Sequence, residues 1–289
     1  GDMESIDNIS TQWASSEIDQ DFVIKAGEPI GQIWGYKSAG RYEVSDFDIE
    51  ASKAQGKWVL KEGIADCSNV LGTSVRPGSM KIAETKAEKT GTITTADRQV
   101  IGDTNPTHTG GFNINARVYG FDLTANFNWS VGNDVYNANA IEYTQTSKYQ
   151  YRNLIDKMAG GSRWTNIDAN GNLLNWDNAE ELAALNANTT MWSPYTGKYV
   201  LTDAYVEDAS FLRLSTLTLG YTLPENLTKR AGINSLRFYV TAYNVFCITN
   251  YSGFDPEVSA IRKTNLTPGV DYSAYPKSRQ FVIGMNLNF

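Results

Sequence analysis

Arg279-Gln280-Phe281-Val282-Ile283-Gly284-Met285-Asn286-Leu287-Asn288-Phe289 closes the 289-residue chain. Phe281, Ile283, Met285, Leu287 and Phe289 share one face of an extended segment, and Gln280, Val282, Gly284, Asn286 and Asn288 share the other. A period of two is a strand. The fully apolar face suits a transmembrane β-barrel, where lipid covers one side and a wet lumen the other. A soluble sandwich would turn the same face toward a protein core.

Other segments alternate in the same way. Phe112, Ile114, Ala116 and Val118 are offset by Asn113, Asn115, Arg117 and Tyr119. Beyond Tyr119-Gly120, Phe121, Leu123, Ala125, Phe127, Trp129 and Val131 alternate with Asp122, Thr124, Asn126, Asn128 and Ser130. These form a hairpin with a minimal turn, and Trp129 stands where a barrel carries its aromatic girdle. Leu212 and Leu214, then Leu217, Leu219, Tyr221 and Leu223, make a further strand whose phase slips at Ser215-Thr216, the mark of a β-bulge. Pro224-Glu225-Asn226 ends it, and Leu236, Phe238, Val240 and Ala242 begin the next strand. Gln32–Lys37 reads as one more strand.

The connections are unequal. The link at 119–120 is minimal, that near 224–235 is modest, and long loops lie near 45–100 and 133–208. A connection as long as 133–208 is unusual in a compact domain and points to function. It holds an Asn170-Gly171 turn and a short helix expected around Ser147–Met158. Tiny turns at one end and long loops at the other describe an outer-membrane barrel. The fold is therefore read as all-β, part of a large antiparallel transmembrane barrel with long extracellular loops. The alternatives are a soluble secreted β-sandwich binding module and a passive porin.

Composition sets limits. A net charge of −7 argues against a nucleic-acid partner, which needs clustered Lys and Arg. No apolar run reaches the ~20 residues of a transmembrane helix, which says nothing about strands. Gly1-Asp2-Met3-Glu4-Ser5 has no basic region followed by an apolar stretch, so no signal peptide is expected. On the barrel reading this makes the chain a mature or internal piece of something longer. Cys67 and Cys247 read as unpaired thiols in preference to a long-loop disulfide. No solenoid or propeller repeat is present.

The long loop exposes candidate binding aromatics in Trp164, Trp176, Trp192 and Tyr195, able to stack on sugar rings or grip a peptide; packing within the loop is the favoured reading. Asp168-Ala169-Asn170-Gly171-Asn172 begins like a calcium loop, but Leu173 and Ala179 stand where Gly and Glu are needed, so a turn is expected. Glu180 and Glu181 are adjacent and diverge on a helix, unlike the facing carboxyls of a glycosidase. His108, the only histidine, reads as a turn residue with no nucleophile to serve. Gly110-Gly111 is no phosphate loop, because no helix follows. Lys229-Arg230 reads as a solvated pair. No catalytic constellation, cofactor motif or metal cluster is found, so no enzyme is expected.

Several stretches, in order, resemble the C-terminal part of SusC/RagA-type TonB-linked outer-membrane transporters. They are Ala26-Gly-Glu-Pro-Ile-Gly-Gln-Ile-Trp-Gly-Tyr36, Asp97-Arg-Gln-Val-Ile-Gly102 with Asn105-Pro106 and Gly110-Gly111, Gly120-Phe-Asp-Leu123, Gly132-Asn-Asp-Val-Tyr-Asn137, Val206-Glu-Asp-Ala-Ser-Phe-Leu-Arg-Leu214, Leu219-Gly-Tyr-Thr-Leu-Pro224, Tyr243-Asn-Val-Phe246, Thr249-Asn-Tyr-Ser-Gly-Phe-Asp-Pro-Glu257, and Tyr275-Pro276 with Arg279. The resemblance implies the C-terminal portion of a plugged barrel of about 22 strands, without the plug and N-terminal strands. It also implies the outer membrane of a Gram-negative bacterium, a SusD-like surface lipoprotein, a TonB complex acting through the missing N-terminal part, and an oligosaccharide or peptide substrate. One departure stands out. Many members carry a calcium-loop-like Asp-x-Asn-x-Asp-Gly-x-Ile run before the Asp-Arg pair. Here the stretch runs from Lys86 through Thr90-Gly91 to Ile93, with Asp97 last. Lys86 and Thr90 replace carboxylates, so no metal is expected.

Overall fold

The computed structural model describes residues 18–146, 151–260 and 265–289, with the backbone of Asp7–Ile9. The expectation about a signal peptide lies outside these residues. The chain divides into two units, one of 1–104, 136–207 and 259–273, the other of 105–135, 208–258 and 274–289.

The second unit holds the alternating segments. Its strands are β1 (His108–Val118), β2 (Phe121–Val131), β3 (Phe211–Thr222), β4 (Ser235–Thr249) and β5 (Gln280–Asn288). They form one five-stranded sheet in the order β5-β4-β3-β2-β1, and each neighbouring pair is antiparallel. Val118 pairs with Phe121 across Tyr119-Gly120, whose φ values of 47° and 87° are the paired left-handed conformations of a tight hairpin turn. The expected bulge is present, because the register of β3 shifts between Leu214 and Thr216 against both neighbours. The spare residue is held in place: the single proton of Ser215 Oγ is shared between two acceptors, the Asn126 carbonyl at 3.1 Å and Asn128 Oδ1 at 2.9 Å. Residues 223–234 join β3 to β4 through the short helix Glu225–Thr228 and a 3-10 turn.

The apolar face of this sheet is open. Phe281, Ile283 and Phe289 are 73%, 81% and 77% exposed, and Ile114, Phe121, Leu219 and Phe238 are exposed as well. This overturns the sandwich reading, in which the apolar faces of 121–131 and 281–289 cover each other. They belong to one sheet, with β3 and β4 between them, so they cannot face each other. The polar face is closed by short-range devices. Asp122 and Arg237 form a bidentate pair, Nε to Oδ1 at 2.8 Å and Nη2 to Oδ2 at 2.5 Å. Gly220 of β3, the cross-strand partner of Asp122, leaves the room: a Cβ there would lie 2.4 Å from Arg237 Nη2. Trp129 gains its space in the same way from Gly110, its cross-strand partner. His108 opens β1 and is not a turn residue; its ring stacks on Trp129, whose Nε1 donates to Nδ1 at 2.8 Å. The hairpin partner supplies the pairing that the Pro-Thr-His-Thr-Gly sequence hides.

The first unit has its own core, including Phe22, Ile33, Tyr42, Phe47, Ile82, Ile93, Tyr136 and Ile141, all fully buried. Burying such side chains stabilises by about 1.5–3 kcal/mol each. Residues of both long connections contribute to it. The expected strand at 32–37 runs from Gln32 to Gly35 and is followed by a bridge between Tyr36 and Thr202. Helix Ile49–Gln55 starts on Asp48, which accepts from Ala51 N, and ends at Gly56 in the left-handed conformation. The helix expected around Ser147–Met158 forms differently. Residues 147–150 lie outside the described residues, Asp156–Met158 is a single 3-10 turn, and the α-helix here is Ala138–Tyr143, capped by Asn137. The chain then folds back on that helix: Ile155 N donates to the Tyr143 carbonyl and Arg152 pairs with Glu142. No helix among the described residues is long and apolar enough to cross a membrane.

Candidate functional site

The four aromatics of the long loop occupy three different settings in the first unit. Trp164 is interior, 2% exposed, packed with Leu174 and Leu182. Arg41 lies over its ring at 4.7 Å, and its Nε1 donates to Asn166 Oδ1 at 2.6 Å. Trp176 meets the edge of Trp58 at 5.9 Å, and Trp58 meets Phe47 at 5.3 Å. Trp192 and Tyr195 are brought together, lining one narrow crevice with Thr144, Gln145 and Lys198. Trp192 stands edge-on to Tyr205, while Tyr195 is 50% exposed under Arg76 at 4.6 Å.

A second concavity, of about 540 Å³, was not legible from the sequence. Its wall includes Tyr36, Asn69, Thr95, Arg98, Lys198 and Leu201. Arg98 shapes it: Nη1 donates to the carbonyls of Asp19 at 3.0 Å and Gln20 at 3.3 Å, and the guanidinium lies 5.4 Å over Tyr36. Gln20 takes φ 56° at this edge. Amide, hydroxyl and ammonium donors beside apolar wall suit a ligand rich in hydroxyl or carboxylate oxygens.

Arg213, Asp255 and Glu257, from two stretches quoted separately in the sequence, meet Lys277 in the second unit. Arg213 of β3 reaches Asp255 Oδ1 at 2.7 Å, and Lys277 reaches Glu257 Oε2 at 2.8 Å and Asp255 Oδ2 at 3.6 Å. Arg213 Nε lies 2.9 Å from Glu257 Oε2 but outside hydrogen-bond geometry. The carboxylate pair at 255 and 257 is therefore the anionic half of an ion cluster. The other carboxylates are simpler. Glu180 and Glu181 are exposed on the first turn of helix Ala179–Leu185. Asp168 closes the Asn170-Gly171 turn by accepting from Asn170 N and Asn172 N, and these bonds with the Asn172 side chain hold its carboxyl below the usual range. Lys229 pairs with Glu225 on the exposed β3–β4 connection.

The calcium-loop-like stretch is organised around an amine. Lys86 Nζ lies 3.1 Å from Glu84 Oε1 and 3.1 Å from Asp97 Oδ2, and donates to the Thr92 carbonyl. An ammonium at the point where oxygens converge does not fit a bound divalent ion. Burial alone would raise the Asp97 carboxyl, but the amides of Thr94, Lys86 and Thr85 and the Lys86 ammonium outweigh it and hold it low. Cys67 and Cys247 are both free thiols; Cys67 is buried beneath Tyr42, whose hydroxyl donates to its Sγ at 3.0 Å.

No protein-family model matches the chain. A TonB-dependent receptor of Formosa agariphila is 31% identical over 271 residues, covering 92% of this chain and 23% of that protein. The TonB-dependent receptor SusC of Bacteroides thetaiotaomicron is 36% identical over 91 residues, 31% of this chain and 8% of SusC. Among solved structures, the RagAB peptide importer in its closed-closed state superposes with a TM-score of 0.60 at 23% identity, covering 93% of this chain and 24% of that one. With open, alternating antiparallel strands and these relatives, the chain belongs to the SusC-like TonB-dependent receptors. It spans about a quarter of the length of the relatives that it matches most fully.

Proposed function

We propose that this chain supplies part of the wall and outer loops of a TonB-energised importer in the outer membrane of a Gram-negative bacterium, and that the cargo is an oligosaccharide too large for porins. The observation that carries this is the β1–β5 sheet, apolar and open on one face, polar on the other, and without a strand partner at either edge among the described residues. A membrane tolerates no open sheet edge, so further strands complete the wall. A SusD-like surface lipoprotein and a TonB complex are the partners this reading requires. Trp192 and Tyr195 at the crevice, and Asn69 and Lys198 at the larger cleft, are the proposed substrate or lipoprotein contacts. Trp164 and Trp176 hold the loop that carries them. The function is transport, with no catalytic step.

The likeness to the RagAB peptide importer favours peptide cargo as the second reading. Deleting the gene in its host and measuring growth on single glycans and on peptide mixtures separates the two. Growth lost on one glycan and kept on peptides supports the proposal; the reverse pattern replaces it with the peptide reading.

A further inference from the structure

The loop from Glu84 to Asp97 contains a cation that it cannot release. The Lys86 ammonium has three donors and meets three acceptors, Glu84 Oε1, Asp97 Oδ2 and the Thr92 carbonyl. The side chains of Lys86, Glu84 and Asp97 are only 13%, 12% and 0% exposed. The carboxylates in turn order the backbone. Asp97 Oδ1 accepts from Thr85 N at 2.9 Å and Lys86 N at 3.1 Å, and Oδ2 accepts from Thr94 N at 2.8 Å. Glu84 Oε1 accepts from Thr90 N at 2.6 Å and Gly91 N at 3.1 Å, where Gly91 turns at φ 71°. Two carboxylates brought this close repel each other unless a positive charge stands between them. The lysine stem delivers that charge from inside the loop.

We propose that Lys86 is a tethered cation that takes the place of a divalent ion, so that the order of residues 84–97 is independent of calcium. The converse follows from the same oxygens. Without the ammonium, two carboxylates and a carbonyl still converge, a ligand set that binds calcium weakly.

Hydrogen exchange at the amides of Thr85, Lys86 and Thr94, measured on the complete receptor in detergent, tests this. In the unaltered protein, EGTA and millimolar Ca²⁺ leave these amides unchanged. Lys86→Met speeds their exchange by about tenfold or more, the scale of one charge-assisted hydrogen bond, and Ca²⁺ restores protection. Glu84→Gln combined with Lys86→Met speeds exchange without restoration by Ca²⁺. A response of the unaltered protein to EGTA overturns the proposal, and that arm does not depend on any variant folding. So does a Lys86→Met protein that exchanges like the original, or one that Ca²⁺ fails to restore, or a double variant that Ca²⁺ restores equally.

Discussion

Arg213 and Asp255, 42 positions apart, meet at 2.7 Å with 7% and 10% of their side chains exposed. The contact ties β3 to the connection between β4 and β5, and Lys277 adds the run-in to β5. Breaking a buried pair strands the remaining charge, so Arg213→Met is expected to cost about 3–5 kcal/mol. Lys277 is 45% exposed, and Lys277→Ala is expected to cost at most about 1 kcal/mol. Denaturant unfolding of the detergent-purified receptor checks both. Equal costs would show that the cluster does not work through burial.

Gly78 and Trp164 form a second fixed contact. Gly78 has φ +86°, and a Cβ there would lie 2.2 Å from Trp164 Cδ1. Gly78→Ala therefore combines left-handed backbone strain with overpacking, about 2–5 kcal/mol together. Trp164 fluorescence and thermal melting report the loss. An alanine variant as stable as the original would mean that the tryptophan sits elsewhere.

The charge cluster at Lys86 sets a pH window. The Thr90 amide and then Lys86 hold Glu84 low, and the Thr94 amide leads the groups that hold Asp97 low against burial. Burial pushes Lys86 down, but Glu84 and Asp97 outweigh it and raise it. Depressed carboxylates contribute stability above their unfolded values, about 4, and lose it as pH falls through the lower folded ones. The raised ammonium contributes below about 10.4 and loses its share as pH rises past its folded value. Protection of the loop, corrected for intrinsic exchange, is thus expected to be flat from about pH 4 to 10. A midpoint near neutrality would contradict the pairing.

The exposed face of β5 distinguishes lipid from water. Ile283 is 81% exposed and pairs with Val240, while Asn286 lies on the opposite face and pairs with Arg237. A lysine facing the bilayer midplane costs about 2–4 kcal/mol, whereas the same change at an exposed residue in water costs little. Ile283→Lys is expected to lower barrel stability on that scale. A cost near zero would mean that water covers this face.

The barrel strands were legible because each face has one solvent and therefore a strict period of two. Even the break at Ser215 showed, since a bulge shifts phase without changing residue type. That hairpin's first strand, β1, was legible from Phe112 onward, but its start at His108 was not, because residues 108–111 are paired by Trp129 and its neighbours and lack apolar alternation of their own. The core around Phe22, Tyr42 and Tyr136 joins residues from distant segments, and no local period encodes such packing. The helix was misplaced toward 147–158 for a similar reason: its start is fixed by the Asn137 cap and its end by the fold-back of Ile155. The Arg213 cluster joins two quoted stretches, one holding Arg213 and the other Asp255 and Glu257, to Lys277, which no pattern marked; their contact reaches from residue 213 to residue 277, and no local period encodes it.

On the proposed function, β1–β5 form barrel wall with lipid on the apolar face. Nitroxide labels placed singly at Ile114, Phe238 and Ile283, and at Asn115 and Asn286, test it most directly in the complete receptor in bilayers, with Cys67 and Cys247 replaced. The first three are expected to collide preferentially with oxygen dissolved in lipid and the last two with a water-soluble nickel chelate. Preferential collision of all five with the chelate would contradict it.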